Sequence, residues 1–351
     1  MSANLVDARK SPEFDNHDAV MSVADERSGL KAYIAIHHVR GAQPSFGATR
    51  WWRYPSQQDA MQDAMRLAHL MSYKSALAGL PYGGAKGVIF SDGSPGESRT
   101  RMLEAYAGEV ERLGGKFVTG TDVGLTREDV ARMRCSSSFF VGLAVDPAMY
   151  TTLGMFESMK VCLGEVFDSD RLQGRSFAVQ GLGKIGTSII ELLMPHGVTV
   201  FASDVSQSAV EQARRRFPSL RIVSPEDIYK TEADIFSPCA LGGSLYAGAA
   251  KNLQCRAIVG GANNQLANGA VGDTLHQRGI LYAPDYVANA GGLISVTQEY
   301  EYGTHNESRV CALVEVIPQT LKTIFSASRK SGRPPGAIAD EMARAIIYSK
   351  E

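Results

Sequence analysis

The sequence has few cysteines and no long apolar run. Its 351 residues include five cysteines, an odd number at wide spacing and without a C-x-x-C pair. That pattern argues against a disulfide framework and a zinc site, and it favours a reducing, cytoplasmic setting. No run of eighteen apolar residues occurs, so we predict no membrane span. The charged N-terminus has no apolar segment of the kind that secretory signals carry.

The sequence also lacks an excess of charge of either sign. Lys and Arg number 36, Asp and Glu number 37, and the formal net charge is -1. Because there is no overall basic field, we predict no nucleic-acid partner. No G-x-S-x-G elbow is present, which disfavours a hydrolase. Glycine is abundant instead, with 35 residues, which indicates tight turns or close approach of the backbone to a ligand.

The seven histidines form no recognisable catalytic or metal-binding motif. A 2-hydroxy-acid dehydrogenase needs a histidine base close to an arginine, and no such pattern stands out. His37 and His38 are adjacent, so on a strand they point to opposite faces and do not form a ligand pair. We predict that His69 is a helix-face residue and that the protein holds no metal.

The length predicts about two domains, and the first half has a mixed α/β pattern. Strands are predicted at 31–38, 88–90 and 116–118, and helices at 57–78, 98–113 and 126–134. The glycine- and proline-rich run GLPYGGAKG, which precedes the strand at 88–90, is predicted to be a turn.

The second half has a regular alternation of short apolar runs and helical stretches. Six strands are predicted at 177–180, 198–203, 220–223, 233–236, 257–260 and 280–283. This rhythm predicts an α/β fold with a doubly wound parallel Rossmann sheet. We expect a substrate-binding and oligomerisation domain over 1–147, a dinucleotide-binding domain over 148–325, a C-terminal segment over 326–351 that returns to the first domain, and a cleft between the domains. Residues 151–166 are predicted to be the joining helix, and the chain is predicted to end in a helix at about 336–349.

A dinucleotide fingerprint opens the second domain. Residues 181–186 read GLGKIG, which matches G-x-G-x-x-G between a predicted strand and a predicted helix. Asp204 follows the last glycine by 18 residues and ends the next strand, where a carboxylate can bond an adenosine ribose. The residues after it include no arginine for a 2′-phosphate, so NAD is favoured over NADP. The alternative is a glycine-rich turn that binds no nucleotide. The cofactor contacts expected here are Gly181, Gly183, Lys184, Ile185, Gly186, Asp204 and Val205.

Three charged residues in the first half lie in unusual surroundings. Lys74 is near the end of the long predicted helix, and Lys86 and Asp122 lie in glycine-rich runs. Single charged residues at such places are usually solvated surface groups. Here glycines and apolar residues flank them on both sides, which suits a cleft better.

From about residue 35 to residue 324 the chain resembles the amino-acid dehydrogenase family of glutamate, leucine, valine and phenylalanine dehydrogenases, and most of all the leucine/phenylalanine branch that can include tryptophan dehydrogenases. The matching motifs are PSFGATR (44–50), MSYK (71–74), GGAK (83–86), TGTD (119–122), TTLG (151–154), the Rossmann glycines, PCA (238–240), GANN (261–264) and APDYVANAGG (283–292).

The resemblance implies oxidative deamination of an L-amino acid to a 2-oxo acid and ammonia, with NAD as hydride acceptor, and the reverse reaction. Lys74 would bind the substrate carboxylate, and Asn289 would add a hydrogen bond to it. Lys86 would polarise the developing carbonyl and activate water, and Asp122 would shuttle protons to and from the amino group. A non-catalytic NAD-binding regulatory protein is the alternative, although it would be expected to have lost one of these groups.

The resemblance also assigns residues around the nicotinamide. Thr151 and Thr152 would lie near its amide, and Cys239, Ala240, Asn263 and Asn289 would line its ring and ribose. Cys239 can equally be a small packing residue, and Asn263 with Asn264 can be an ordinary turn.

Two residues depart from the family pattern by one methyl each. Ala48 and Ala85 stand where glycine is usual, and we expect slight reshaping of the substrate cleft. Arg50 is interpreted as an ion-pair partner rather than a catalytic group.

The side-chain pocket implied by the resemblance is apolar. Its expected walls are Phe46, Gly47, Met71 and Gly120, together with the stretch 310–317, and none of the named residues is charged. Glutamate is therefore disfavoured as a substrate. Gly120 replaces an alanine typical of leucine enzymes, which favours room for a ring, so phenylalanine or tryptophan is preferred over leucine or valine. We expect a homo-oligomer.

Overall fold

A computed structural model describes residues 2–91 and 97–349. The chain forms two compact units, unit 1 and unit 2. Unit 1 comprises Met1–Asp146, Ser295–His305 and Ala343–Glu351, and unit 2 comprises Pro147–Ile294 and Asn306–Met342. We expected all of 326–351 to return to the first domain, but only the part from Ala343 onward groups with unit 1. Residues 295–305 also group with unit 1.

Unit 1 is built on a mixed sheet. Its strands in the described residues are β1 (Ser2–Leu5), β2 (Ala19–Asp25), β3 (Leu30–His38), β4 (Ser45–Phe46), β5 (Thr49–Trp52), β6 (Gly83–Phe90) and β7 (Phe117–Val118). The order is β1-β2-β3-β6-β4-β7, with β5 also paired to β6. The pairs from β1 to β6 are antiparallel, whereas β4 and β5 run parallel to β6 and β4 runs parallel to β7.

Helices cover both faces of this sheet. They are α1 (Gln57–Leu77), α2 (Glu97–Arg112) and α3 (Arg127–Arg134). Alanines along α1 pack on Ala35 and Val88 at one face. On the other face, Met102 and Tyr106 of α2 pack with Ile34 and Ile89. Burial of both faces explains the near-continuous apolar character of β3.

The predicted turn GLPYGGAKG is wrong in its second half, because β6 begins at Gly83 and is buried along most of its length. The glycines serve close packing rather than a turn. A Cβ at Gly84 would lie 2.0 Å from Ser72 N on α1, and one at Gly87 would lie 1.9 Å from the Tyr106 hydroxyl on α2. Both contacts are far too short for a side chain, so glycine at these positions lets the two helices pack directly on β6. Lys86 lies between these glycines, in the middle of a central strand.

Unit 2 contains the predicted doubly wound sheet, which the structure confirms. Its strands in the described residues are β8 (Ser176–Gln180), β9 (Thr199–Ser203), β10 (Arg221–Ile222), β11 (Ile235–Pro238), β12 (Ala257–Ile258) and β13 (Leu281–Tyr282). All pairs are parallel, and the order is β10-β9-β8-β11-β12-β13. The order reverses between β8 and β11, and such switch points in parallel sheets are where ligands bind.

The remaining helices follow in chain order. They are α4 (Pro147–Phe167), α5 (Lys184–Leu193), α6 (Gln207–Arg216), α7 (Ala247–Asn252), α8 (Gly269–Gln277), α9 (Asp285–Ala288), α10 (Gly291–Tyr302), α11 (Glu307–Val314), α12 (Val316–Ser331) and α13 (Pro335–Ile347). The part of α10 from Ser295 and the part of α13 from Ala343 belong to unit 1.

One stretch in the described residues, Glu307–Ser331, is long and apolar enough to cross a membrane by length and composition, with a mean hydropathy of 1.3. The structure divides it into α11 and α12 at Glu315. The apolar residues Val310, Ile317 and Leu321 are buried within the protein. Helices in protein cores can be equally long and apolar. The buried apolar side of Glu307–Ser331 accounts for its composition.

Candidate active site and cofactor site

The centre of unit 1 holds a buried ion pair. Lys86 alternates with Val88 along β6, so both side chains lie on the sheet face that α1 covers. The Lys86 ammonium donates to Asp122 Oδ2 at 2.5 Å, and these side chains are only 5% and 13% exposed. Asp122 follows β7 closely, and pairing of β7 with β4 brings its segment to the same edge as β6.

A second cation shares the same carboxylate oxygen. Arg50 Nε donates to Asp122 Oδ2 at 3.1 Å, and Arg50 Nη1 donates to Asp63 Oδ2 at 2.9 Å. The Tyr54 hydroxyl donates to that Asp63 oxygen at 2.6 Å. The interpretation of Arg50 as an ion-pair partner is confirmed. Tyr54 and Asp63 were not identified from the sequence, because their contacts with this site join distant parts of the chain. The local ion pair of Asp63 is with Arg66, three residues later on α1.

Burial and charge shift both pKa values of this pair. Burial lowers the pKa of Lys86, and Arg50 lowers it further, while Asp122 opposes the shift. Burial raises the pKa of Asp122, but the charges of Lys86 and Arg50 outweigh it and hold that pKa below its usual range. The site therefore keeps an ionised carboxylate against an amine that is easier to deprotonate than an ordinary lysine. A proton can pass between them along the hydrogen bond.

A second buried lysine lies on α1. Lys74 is 9% exposed, and Met71, one turn earlier on the same side of α1, is half-buried. Phe46 on β4 is fully buried, with its ring centroid 4.6 Å from that of Tyr82 and 5.4 Å from that of Tyr300. Tyr82 and Tyr300 were not singled out from the sequence, because nothing local links them to Phe46.

Two glycines predicted to line the pocket pack closely against backbone carbonyls. A Cβ at Gly47 would lie 1.9 Å from the Ala85 carbonyl oxygen, and one at Gly120 would lie 2.8 Å from the Val141 carbonyl oxygen. The missing side chain of Gly120 would therefore point at backbone and not into open space. The absence of a methyl group at Gly120 thus gives no support for a substrate with an aromatic ring. The expectation that Ala85 reshapes the substrate cleft is wrong. Its methyl lies in the core between the sheet and α2, on the face opposite Lys86.

A matched pair of glycine substitutions tests this packing. We expect Gly120→Ala to destabilise the protein by about 1–3 kcal/mol, because its methyl meets a fixed carbonyl. Gly108→Ala, within α2 and with nothing within 4 Å of its new methyl, is expected to stabilise it by about 0.5–1 kcal/mol. Urea unfolding measures both. Equal effects, or an unchanged stability of Gly120→Ala, would contradict the packing explanation.

The glycine turn of unit 2 has the geometry of a dinucleotide cradle. Gly181 has φ of +99°, which a side chain rarely adopts, and its amide donates to Ser203 O at 2.8 Å. A Cβ at Gly186 would lie 1.8 Å from Gly181 O, so this glycine packs helix against strand. Gly183 caps α5 and has open space where its Cβ would be. An anion can therefore approach the helix N-terminus, with Lys184 exposed beside it.

Asp204 is tied to this turn. Its Oδ2 accepts from Leu182 N at 2.6 Å and its Oδ1 accepts from Ser206 N at 2.8 Å. Val205, the next residue, is 91% exposed. The carboxylate thus lies at the end of β9, next to the glycine turn.

Asn289 is the centre of a second loop cluster in unit 2. Its Nδ2 lies 3.2 Å from Gly261 O and 2.9 Å from Asn263 Oδ1, so its donor holds the loop after β12. Its buried Oδ1 has no hydrogen-bond partner among the described residues. Cys239 N donates to Gln180 O at 2.7 Å next to the glycine turn. A buried acceptor without a partner is uncommon in folded proteins, which makes Asn289 Oδ1 a candidate contact for a ligand.

The other predicted nicotinamide residues lie around the same end of the sheet. Thr151 and Thr152 donate to the carbonyls of Pro147 and Ala148 in the first turn of α4. Ala240 packs on Gly181, since a Cβ there would lie 2.9 Å from Ala240 N. Ile185 is half-buried over the loop after β12, close to Gly261. Asn264 has φ of +54°, so the turn predicted as the alternative is present as well.

Comparison with known families matches most of the chain. A family model described as the Glu/Leu/Phe/Val dehydrogenase dimerisation domain matches residues 15–138. A second, described as glutamate/leucine/phenylalanine/valine dehydrogenase, matches residues 203–332. The first match includes the buried ion pair of unit 1, and the second includes Asp204 and Asn289 of unit 2.

Individual relatives span nearly the full length. An L-tryptophan dehydrogenase of Nostoc punctiforme is 39% identical over 95% of this chain and 94% of the relative. A leucine dehydrogenase of Bacillus subtilis is 36% identical over 95% and 92%. A phenylalanine dehydrogenase of Lysinibacillus sphaericus is 37% identical over 89% and 83%.

A solved structure gives the same result. The crystal structure of L-tryptophan dehydrogenase from N. punctiforme matches with a TM-score of 0.80 at 38% identity, over 95% of this chain and 96% of that one. A glutamate dehydrogenase from Thermus thermophilus, at 22% identity and a TM-score of 0.75, shares the fold. The resemblance seen in the motifs is confirmed: the chain belongs to the Glu/Leu/Phe/Val dehydrogenase family and is an amino-acid dehydrogenase, an oxidoreductase.

Proposed function

We propose that the protein catalyses the NAD-dependent, reversible oxidative deamination of a hydrophobic, aromatic L-amino acid, phenylalanine or tryptophan. The observation that carries the reaction is the buried contact of 2.5 Å between Lys86 and Asp122. A binding protein without catalysis has no use for a buried amine with a lowered pKa, since burial of charge costs stability. This observation favours an enzyme over a regulatory protein.

The chain's own groups divide the chemistry. Lys74 holds the substrate carboxylate with its charge. Lys86, in its neutral form, takes a proton from the attacking water and, once protonated, polarises the oxygen of the developing carbonyl. Asp122 exchanges protons with the substrate amino group and with Lys86. Arg50, a permanent cation, keeps Asp122 ionised between turnovers.

NAD is the cofactor that the residues of unit 2 fit. Gly181, Gly183 and Gly186 would hold the pyrophosphate at the N-terminus of α5, and Asp204 would accept from the adenosine ribose. The nicotinamide of bound NAD supplies the hydride acceptor. We revise the expected role of Asn289: its Nδ2 holds the loop, and its free Oδ1 is the group available to accept a hydrogen bond from the ligand.

The substrate side chain is expected to be apolar. The half-buried Met71 and Tyr300 offer a thioether and an aromatic surface, and the packing of Tyr300 on the fully buried Phe46 supports a ring-bearing substrate. Branched-chain aliphatic amino acids are the other outcome, and leucine dehydrogenases are among the relatives.

A substrate panel tests the whole proposal. Purified protein is mixed with NAD and each of the twenty L-amino acids at alkaline pH, and NADH is followed by absorbance. We expect the highest kcat/KM with phenylalanine or tryptophan. A preference for leucine or valine would reject the aromatic assignment only, and no NADH with any amino acid would reject the reaction. The heat-treated protein is the blank.

A substitution at Val205 tests the cofactor assignment. The wild type is expected to prefer NAD, because Asp204 repels a 2′-phosphate. Val205→Arg puts a cation beside that position without disturbing packing, as Val205 is 91% exposed. We expect kcat/KM for NADP to rise by about tenfold, since a charge-assisted hydrogen bond contributes about 1.5 kcal/mol or more. Val205→Gln is the uncharged control, and an equal gain in both variants would contradict the argument.

We also propose that the protein is a homo-oligomer in a reducing compartment. The family model for residues 15–138 is described as a dimerisation domain, and all five cysteines, each in the described ranges, are free. Light scattering after size-exclusion chromatography measures the mass, and a monomer mass would reject the first part.

A further inference from the structure

Three side chains from separate parts of unit 1 meet beside α1, outside the Lys86 cluster. They are Asp15, before β2, His37 on β3, and His69 on α1. One ligand atom from each lies within 4.8 Å of the others. We call this group the Asp15–His37–His69 cluster. The sequence argument against metal binding compared only His37 with its neighbour His38, and so could not detect a partner on α1.

The spacing of the three groups is close to that of a metal site. His69 Nε2 lies 3.3 Å from Asp15 Oδ2, and His37 Nε2 lies 3.9 Å from the same oxygen. Ligand atoms around tetrahedral Zn²⁺, with bonds of about 2.0–2.1 Å, lie about 3.3 Å apart. The remaining separation, between the ligand nitrogens of the two histidines, is up to 4.8 Å, so these rings would have to approach each other by up to about 1.5 Å to reach that spacing.

The key observation is an unsatisfied donor or acceptor in the interior. His37 is 0% exposed, and its Nε2 makes no hydrogen bond of normal geometry in the described part of the chain, although the Asp15 backbone carbonyl lies near enough to the ring to oppose part of the fall in its pKa. Its other ring nitrogen, Nδ1, lies 2.8 Å from Ser72 Oγ. If Nδ1–H donates to Ser72, the lone pair of Nε2 points toward Asp15 and His69. Metal-binding histidines are commonly oriented by such a hydrogen bond at the second nitrogen.

The surroundings shield the two rings and restrict further ligands. The side chains of His37 and His69 are 0% and 24% exposed, and a histidine binds a metal ion through an unprotonated ring nitrogen. His17 is excluded as a further ligand, because its Nδ1 accepts from Asp15 N and its Nε2 contacts Met65 O at 2.9 Å. Arg344 Nη2 lies 3.1 Å from Asp15 Oδ2 and orients that carboxylate.

We propose that Asp15, His37 and His69 form a binding site for one divalent transition-metal ion of the Zn²⁺ class. The donor set of two imidazole nitrogens and one carboxylate oxygen suits this class, and it leaves a position for water. The ion would connect the segment before β2, the central sheet and α1. This site is separate from the Lys86–Asp122 pair, and it does not depend on the proposed substrate.

The test is a Zn²⁺ titration of the full-length, untagged protein in the Cys135→Ser background, which removes the exposed thiol. The protein is first treated with a chelator, and binding is measured by competition with a chromophoric zinc indicator. We expect one Zn²⁺ per chain. His69→Gln and Asp15→Asn are each expected to weaken binding by about tenfold or more. Both side chains are about one-quarter exposed, so the fold should tolerate their loss.

His196→Gln is the matched control, because His196 is an exposed histidine of unit 2 and outside the cluster. It should bind Zn²⁺ as the parent protein does. Far-ultraviolet circular dichroism checks that each variant is folded. Failure of the parent protein to bind one Zn²⁺ would overturn the proposal, as would equal affinity of folded His69→Gln and the parent. Neither result bears on the deamination assay, which is measured separately.

Discussion

Replacing Lys86 with methionine is expected to lower kcat for oxidative deamination by about 10³-fold or more. General acid–base groups contribute about 10²- to 10⁴-fold, and in the proposed mechanism Lys86 both activates water and polarises the carbonyl. Methionine keeps the length and an apolar body but has no proton to exchange. Steady-state kinetics with the preferred amino acid from the panel measures the effect.

Two further measurements make this result specific. Lys322→Met changes an exposed lysine on α12 and should leave kcat within about twofold, as surface substitutions rarely matter. NAD affinity of Lys86→Met, measured by titration, should be unchanged, because the glycine turn and Asp204 belong to unit 2. A Lys86→Met enzyme with near-normal kcat and a normal fold would remove the central argument for the mechanism.

Replacing Asp122 with asparagine is expected to have the second large effect, on stability as well as rate. The variant leaves Lys86 and Arg50 side by side without the carboxylate that both contact. Removal of one partner from a buried ion pair typically costs about 3–5 kcal/mol. Arg50 keeps Asp63 as a partner, so we expect the lower end of that range, measured by urea unfolding at pH 7.

The pH dependence of the same variant separates a catalytic role from a structural one. Deamination needs neutral Lys86, so kcat/KM rises with pH through the pKa of that amine. Burial already places this pKa below that of an ordinary lysine, and Asp122 raises it in part. Loss of Asp122 should therefore move the rising limb to lower pH, while the maximal rate falls by about 10²-fold or more.

The control for this experiment is a substitution at a carboxylate that makes a comparable ion pair away from Lys86. Asp129 on α3 pairs with Arg99 on α2 at 2.8 Å. Asp129→Asn should lower stability without shifting the rising limb of the pH profile of kcat/KM. A limb that stays in place in Asp122→Asn, or moves to higher pH, would contradict the electrostatic account of the pair.

Elements with a strong local pattern could be predicted from the sequence. The long helix near residues 57–78 and all six strands of the parallel sheet were found within a few residues of their observed positions. The short strands β4 and β5 were missed, because two to four residues carry too little periodicity. The glycine run before residue 88 was misjudged for another reason: its glycines accommodate Ser72 and Tyr106, which lie far away in the chain.

In the candidate site, too, residues with a local sequence signal could be predicted, whereas residues that depend on distant contacts could not. Lys86 and Asp122 could be singled out because glycines and apolar residues flank them. Asp63 and Tyr54 could not, since Asp63 joins the site through its contact with Arg50, and Tyr54 joins it through its contact with Asp63. Gly120 shows the opposite error, where a residue interpreted as room for substrate in fact faces the Val141 carbonyl.

By itself the sequence determined the strand rhythm, the glycine fingerprint with its carboxylate, and the residue types needed for proton transfer, because each depends on neighbours along the chain. The tertiary structure decided which charges meet. Burial between α1 and the sheet sets the pKa of Lys86, and the meeting of Asp15, His37 and His69 depends on three segments that only folding brings together. Interactions of this kind act through space and burial, and neither is encoded in local spacing.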